Sequence, residues 1–287
     1  MKQFAAALFF ASTVVAQPFH SMVAYPDIGT YFNQPIQDAS VWVPHTVVQW
    51  PAGSLPSSCA VQMASRGCQP SQVQVYNVTY SDCDRPWVFC RCETAPVHIG
   101  RSADIFGRMP VHMRSMVRHP MIVPNPNGAC CCAAPDDGDL MVAGDCPIPT
   151  YAHEVGHLID NRADVFGQDY SSKPAFVNAL ATDTCSISNY GNTAGRHEEF
   201  AEMSIAVLYN INTGLLPAVA PGATTGCFNN QLNLIKTRFG AQYYTYGGTC
   251  VGRLPDSPTV PASLRVKVKR EHLVGRSGWC RFNQESL

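Results

Sequence analysis

Two histidines and a glutamate fall within five consecutive positions, His153-Glu154-Val155-Gly156-His157. Residues four apart on a helix lie on one face, one turn above the other, so both imidazoles can reach the same metal ion. Glu154 points away from that face but can contact a water bound to the metal. This HExxH spacing is typical of zinc sites with two histidine ligands and a glutamate as general base. The pattern predicts hydrolysis of peptide bonds.

A hydrolytic zinc site needs a third protein ligand, and the HExxH motif supplies only two. No His-x-x-Gly-x-x-His continuation follows His157, which argues against the metzincin pattern. Downstream, Glu198 and Glu202 lie on the inward side of a predicted apolar helix, whereas Glu199 falls on another side. A buried carboxylate is costly unless something cationic meets it. We therefore predict Glu198 as the third ligand.

Two more carboxylates are placed to support a ligand histidine. Glu202, one turn beyond Glu198, can accept a hydrogen bond from the second ring nitrogen of a histidine and thereby fix its tautomer. Asp160, three residues after His157, is predicted to act in the same way. Two alternatives stay open: Asp183 as the third ligand, and an acidic first helical turn favoured only by the helix dipole.

Three short segments carry a family resemblance: HEVGHLID from position 153, NYGNT from position 189 and EEFAE from position 198. They resemble the catalytic core of gluzincin zinc peptidases of the anthrax-lethal-factor type, over roughly residues 150–210. The resemblance implies that Glu198 ligates zinc and that Tyr190 stabilises the tetrahedral oxyanion. The gap between these two residues is one residue longer here. His197 competes for the oxyanion role.

The beginning of the chain and its cysteines both predict secretion. Residues 1–16 are predicted to be a signal peptide, in which Lys2 precedes an apolar stretch too short to cross a bilayer; an N-terminal membrane anchor is the alternative. The 13 cysteines predict a disulfide framework rather than a cysteine metal site. The odd number leaves at least one thiol unpaired or bonded to another chain, and we expect a buried thiol rather than one that holds the zinc in a latent state. Over nearly the whole mature chain, the sequence also resembles fungal conidiation-specific secreted proteins, a group interpreted as peptidases.

Other partners are not indicated. The formal net charge of −1 gives no sign of nucleic acid or an anionic membrane as a partner, and no later segment is long enough for a membrane span. Asn77 begins the sequon Asn77-Val78-Thr79, which predicts N-glycosylation of a secreted protein.

The elements that must position these residues predict an α+β fold with a zincin-like, disulfide-stapled catalytic domain. That domain covers residues 58–253, between an extended N-terminal arm at 17–57 and a C-terminal extension at 254–287. Predicted strands lie at 72–80, 121–123 and 140–143, with an edge strand at 264–270. Predicted helices lie at 102–117 with a break at Pro110, at 150–162 with Thr150 as cap, and at 174–181, 197–210 and 228–239; residues 191–196 are predicted to be a loop.

The expected function is that of a secreted zinc peptidase acting on protein or peptide substrates. The alternative is a catalytically inactive zinc-binding protein of the secreted or cell-wall type, acting as a metal scavenger or surface antigen. Glu154 favours the enzyme, because a protein that only binds zinc has no need of a general base. A disulfide-rich spore-wall protein with an accidental HExxH motif is a third interpretation.

Overall fold

The computed structural model of the protein describes residues 18–125, 130–133, 137–264 and 266. The predicted signal peptide and most of the predicted edge strand at 264–270 lie outside these residues. The helices are α1 (Ile28–Ala39), α2 (Ser57–Ser65), α3 (Ile99–Gly107), α4 (Val111–Ser115), α5 (Ile148–Arg162), α6 (Pro174–Thr182), α7 (Asn189–Ala194), α8 (Arg196–Thr213) and α9 (Asn229–Ile235), which continues into a π-helical segment, Lys236–Tyr244. The strands are β1 (His45–Gln49), β2 (Ser54–Pro56), β3 (Val73–Tyr80), β4 (Trp87–Cys92), β5 (Pro120–Val123), β6 (Cys131–Ala133), β7 (Leu140–Ala143) and β8 (Thr259–Pro261).

Six of these strands form one mixed sheet in the order β1-β3-β4-β5-β7-β6. Strands β1, β3 and β4 pair antiparallel, β4, β5 and β7 pair parallel, and β6 runs antiparallel to β7 at the edge. The continuous apolar runs of β5 and β7 are buried at every position, as expected for strands covered on both faces. Strands β2 and β8 form a separate pair. The predicted α+β class is confirmed.

Helix α5 follows β7 after a short turn and carries the HExxH motif. It packs most extensively against α8, the helix with the predicted third ligand, and also contacts α1 and β6. The two stretches of chain that the sequence predicts to share a site are therefore neighbours in the fold. The edge strand β6 lies beside the same helix.

The segment 17–57 is not the extended arm that the sequence predicts. Residues 28–39 form α1, which begins at the N-cap Asp27 and buries Ile28, Phe32 and Ile36 at helical spacing. Strand β1 then joins the main sheet next to β3. Helix α1 belongs to the body of the fold because these three side chains pack into its core. Strand β1 belongs to it through its pairing with β3, since Val47 and Val48 are exposed.

Three local predictions also differ from the structure. Helix α5 begins at Ile148 with Pro147 as its N-cap, so Thr150 lies inside the helix and does not cap it. The predicted loop at 191–196 is largely helix α7, whose N-cap Ser188 accepts a hydrogen bond from the Gly191 amide. The helix predicted at 228–239 is divided into α9 and the π-helical segment. The predicted break at Pro110 is confirmed.

Five disulfides lie within the described residues, Cys59–Cys90, Cys68–Cys92, Cys83–Cys250, Cys130–Cys146 and Cys185–Cys227. Such a framework is compatible with an extracellular protein, because disulfides persist in oxidising compartments. Cys132 retains a thiol and is buried, as the odd cysteine count predicts for one residue. Among the described helices, none combines the length and apolar character needed to cross a membrane.

Candidate metal centre

A glycine brings the two helices that carry the predicted ligands into close contact. A Cβ atom placed on Gly156 would lie 2.7 Å from Ser204 Oγ and 3.1 Å from Ala201 Cα, both on α8. Contacts this short leave no room for a side chain, so the glycine inside the HExxH motif fixes how closely α5 approaches α8. This approach sets the distance between the histidines and Glu198.

The three predicted ligand atoms converge on one point. His153 Nε2 lies 3.1 Å from Glu198 Oε2, His157 Nε2 lies 3.2 Å from the same oxygen, and the two Nε2 atoms are 3.2 Å apart. Zinc–ligand distances of about 2.0–2.1 Å in a tetrahedron place neighbouring ligand atoms about 3.3 Å apart. The three side chains therefore fit a small divalent cation, and two histidines with one carboxylate are a ligand set that zinc accepts.

The charges at the site also favour a cation. Burial would raise the pKa of Glu198, but its contacts with His153, His157 and His197 lower it well below its usual range. Burial would lower the pKa of His153, but hydrogen bonds with Glu198 and Glu202 raise it to about 10. In the absence of a metal, His153 therefore carries a proton on each ring nitrogen, one facing Glu198 and one facing Glu202. A metal ion must displace the Nε2 proton when it binds.

Glu202 lies where the sequence predicts a supporting carboxylate. Its Oε1 atom is 2.9 Å from His153 Nδ1, on the side of the ring opposite Glu198, and both side chains are buried. A carboxylate at this position favours the tautomer with its proton on Nδ1, which leaves the Nε2 lone pair for a metal. Asp160 differs from its prediction, because both of its oxygens accept hydrogen bonds from Ser171, at 2.6 and 2.7 Å.

Glu154 is fully buried and directly follows His153 in α5. Its charge acts on the pKa values of His153 and Tyr190. Burial raises the pKa of the Cys132 thiol and the charge of Glu154 adds to that effect, so Glu154 also lies near β6. Burial lowers the pKa of Arg66, and Glu154 acts in the opposite direction. The role of Glu154 as general base stays a prediction.

Tyr190 and His197 both lie at the site. The Tyr190 ring centroid is 6.1 Å from that of His153, and burial together with the charge and hydrogen bonding of Glu198 raises the pKa of the phenol above its usual range. Tyr190 therefore keeps its proton and can donate a hydrogen bond. His197 Nε2 lies 3.4 Å from Glu198 Oε1, and its side chain is 34% exposed. Helix α7 positions Tyr190, and the first turn of α8 positions His197.

Glu199 is buried, although the sequence places it on another side of the helix from Glu198 and Glu202. Its Oε1 atom accepts the Ile187 N–H at 2.8 Å, and a Cβ atom placed on Gly191 would lie 2.3 Å from its Oε2. Glu199 thus holds α7, the helix that carries Tyr190, against α8. The sequence contains a signal for this contact, because Gly191 next to Tyr190 can mark a close approach of two backbones.

Two remaining sequence candidates lie apart from the three ligands. Asp183, the alternative third ligand, accepts hydrogen bonds from the backbone amides of Asn230 and Gln231 at 2.9 and 3.0 Å, and so caps α9. Asn77 lies within β3, half-buried, and its Oδ1 accepts a hydrogen bond from Trp50 Nε1 at 2.8 Å. Its glycosylation stays a prediction. The other two metal-like clusters among the described residues each contain a disulfide, whose sulfurs are not thiolate ligands.

The model of the conidiation-specific protein Con-13 family matches residues 33–256. This chain belongs to the Con-13 family. Conidiation-specific protein 13 of Neurospora crassa is 28% identical over 197 residues, which cover 67% of this chain and 56% of that protein. The Con-13 family member described here thus spans about half the length of the curated relative that it matches. No solved structure matches the chain.

The second resemblance seen in the sequence, to conidiation-specific proteins, is therefore confirmed at the level of the family. The name of the Con-13 family refers to conidiation and specifies no reaction. The resemblance to gluzincins stays a prediction, and the case for a metal centre in this Con-13 protein depends on its own side chains.

Proposed function

We propose that this protein is a secreted zinc-dependent peptidase. His153, His157 and Glu198 would hold the zinc ion. The observation that supports this most strongly is the convergence of three ligand atoms, 3.1 to 3.2 Å apart, from two separate stretches of chain. Two imidazole nitrogens and a carboxylate oxygen at these distances need protons or a cation between them.

A bound zinc ion would supply a Lewis acid that polarises a carbonyl group and lowers the pKa of a water molecule to about 7. The protein's own residues carry the remaining chemistry. Glu154 would take a proton from the attacking water and pass it to the leaving amine. Tyr190, which keeps its proton, would donate a hydrogen bond to the oxyanion that develops on the substrate carbonyl. Glu202 would hold His153 in the tautomer that presents Nε2.

The test uses residues 17–287, which leave out the predicted signal peptide, produced through a secretory pathway so that the disulfides form. Zinc content is measured, and cleavage of a diverse peptide library is profiled. We expect about one zinc ion per chain, cleavage by the wild type, and zinc without cleavage for Glu154→Gln. Glu198→Ala should lose most of its zinc. Glu93→Gln, at an exposed position, is the matched control.

One outcome would end the peptidase proposal while leaving the metal centre in place. If wild type and Glu154→Gln bind zinc equally and neither cleaves any peptide, the function is zinc binding without catalysis. If Glu198→Ala retains all of its zinc, the third ligand is a different residue.

The burial of the site favours zinc binding without catalysis as the second candidate. His153 and Glu154 are 0% exposed, and the side chain of His157 is only 11% exposed. A substrate needs a path to the general base, whereas a scavenged metal ion needs only a path for itself. The same experiment separates the two functions, because only the peptidase loses an activity when Glu154 becomes glutamine.

A further inference from the structure

The two oxygens of the Glu198 carboxylate face different histidines. Oε2 lies 3.1 Å from His153 Nε2 and 3.2 Å from His157 Nε2, whereas Oε1 lies 3.4 Å from His197 Nε2. One oxygen is therefore directed to the predicted metal position and the other is directed away from it. The carboxylate is fully within the protein, so its orientation depends on these neighbours.

The fold holds the His197 ring at the outer rim of the site. His197 is the second residue of α8, and its ring lies 5.9 Å from that of His157. Gly195, two residues before His197, has a φ of +124°, and a Cβ atom there would lie 3.1 Å from His197 Cε1. Glycine at position 195 therefore allows both the turn into α8 and the placement of the imidazole beside Oε1.

A ligand carboxylate has two ways to bind a metal, through one oxygen or through both. A hydrolytic zinc site keeps one coordination position for water, and a second carboxylate oxygen would compete for that position. Ligand carboxylates are commonly fixed by a hydrogen bond from an outer residue. At Glu198, an N–H donor directed at Oε1 would hold that oxygen away from the metal. Tyr190 also hydrogen-bonds Glu198. Tyr190 is buried, whereas the His197 side chain is 34% exposed and lies at the rim of the site.

We propose that His197 is a positioning residue that restrains Oε1 of Glu198, so that Glu198 presents only Oε2 to the metal. This inference rests on the proposed function, because it assumes a metal held by His153, His157 and Glu198. It assigns His197 a role toward the ligand carboxylate and not toward the substrate oxyanion.

The test compares wild type, His197→Ala and His197→Gln, each loaded with Co²⁺ in place of zinc. Four-coordinate Co²⁺ absorbs visible light much more strongly than five-coordinate Co²⁺, so the spectrum reports whether Glu198 uses one oxygen or two. We expect weaker absorption for His197→Ala and a fall in kcat of about tenfold or more, with KM little changed. Glutamine retains an N–H donor and should restore both the spectrum and most of kcat. Arg196→Ala, at the exposed neighbouring position on the same turn, is the control and should match the wild type.

The outcomes separate this inference from the proposed function. If the wild type binds no metal, or binds it equally well after Glu198→Ala, the proposed centre fails and the role of His197 fails with it. If the wild type binds Co²⁺ and cleaves peptides but His197→Ala has the wild-type spectrum, the positioning role alone is overturned, whatever happens to kcat. Failure of glutamine to restore the spectrum also overturns it, since the hydrogen-bond donor is the proposed cause.

Discussion

The Nδ1 atom of His153 on α5 lies 2.9 Å from Oε1 of Glu202 on α8, and both side chains are buried. The other nitrogen of the same ring faces Glu198, one helical turn earlier on α8. One imidazole is thus held from both sides by two carboxylates of a single helix. The EEFAE segment therefore supplies one predicted ligand and one residue that orients another ligand.

We predict that Glu202→Gln lowers the zinc affinity about 10- to 100-fold, because an amide holds the Nδ1 proton of His153 less strongly than a carboxylate does. The affinity is measured by competition with a chelator of known strength. Glu199→Gln is the matched control: burial raises the pKa of Glu199 to about 8, so this carboxyl is mostly neutral at pH 7 and glutamine leaves its charge almost unchanged. Equal losses in the two variants would mean that Glu202 has no special role.

We predict that Gly156→Ala destabilises the protein and lowers its zinc content. Alanine ordinarily stabilises a helix by about 1 kcal/mol relative to glycine. Here its Cβ atom would lie 2.7 Å from Ser204 Oγ and 3.1 Å from Ala201 Cα, so α5 and α8 must move apart. Overpacking of this kind costs about 1–3 kcal/mol, which reverses the ordinary gain. Chemical denaturation measures the free energy of unfolding, and metal analysis measures the zinc.

Gly226→Ala is the control for this change, because the nearest atom to its added Cβ would be Asn229 Nδ2 at an ordinary 3.5 Å. This variant should unfold with a free energy close to that of the wild type and keep its zinc. If Gly156→Ala also behaves like the wild type, the close approach of the two helices does not control the metal centre.

The sequence indicated which side chains share a face of each helix, because helical periodicity is a local property. The spacing of His153 and His157 places both on one face of α5, and the spacing of Glu198 and Glu202 does the same on α8. The distance between the helices is not local. It depends on Gly156, and on the packing of α5 and α8 upon each other, which no single segment encodes.

Contacts that no single segment encodes also explain why the sequence did not predict helices α7 and α1. Helix α7 has six residues and contains Gly191, so its composition favours a loop; Ser188 at its N-cap and Glu199 from α8 hold it as a helix. Helix α1 contains Pro35 and several polar residues, which weakens its periodic signal, although three buried side chains at helical spacing anchor it. In both cases contacts with other parts of the chain outweigh local propensity.

We predict that Tyr190→Phe lowers kcat about 10²- to 10³-fold while the zinc content and KM stay nearly constant, because one donor to the oxyanion is lost. The raised pKa of Tyr190 means that its phenol stays protonated across the working pH range, so no alkaline limb of the pH profile should come from this residue. Tyr209→Phe, on α8, is the control for loss of a hydroxyl. An unchanged kcat for Tyr190→Phe would show that another group stabilises the oxyanion.

A buried histidine outside the site provides a test of the fold itself. His119 is fully buried, with Nδ1 3.0 Å from the Val88 carbonyl, and Nε2 accepts the Ser257 N–H at 3.0 Å. The neutral ring thus donates to β4 and accepts from the segment before β8, and so ties the C-terminal extension to the sheet. Burial lowers the pKa of His119 to about 4; Arg118 and Arg253 act in the same direction, while the Val88 carbonyl and Asp256 oppose them.

The sign of the pH dependence follows from this lowered pKa. In the unfolded chain a histidine takes up its proton near pH 6.5, whereas in the folded protein His119 does so only near pH 4. Between these values the unfolded state binds more protons at this position, so the contribution of His119 to the free energy of unfolding falls as the pH falls, by about 3 kcal/mol in total. We predict that His119→Asn, which keeps one donor and one acceptor, shows a shallower fall between pH 6.5 and 4. Denaturation curves recorded with chelator present in both proteins measure the difference without a contribution from metal release, and parallel curves would contradict the assignment.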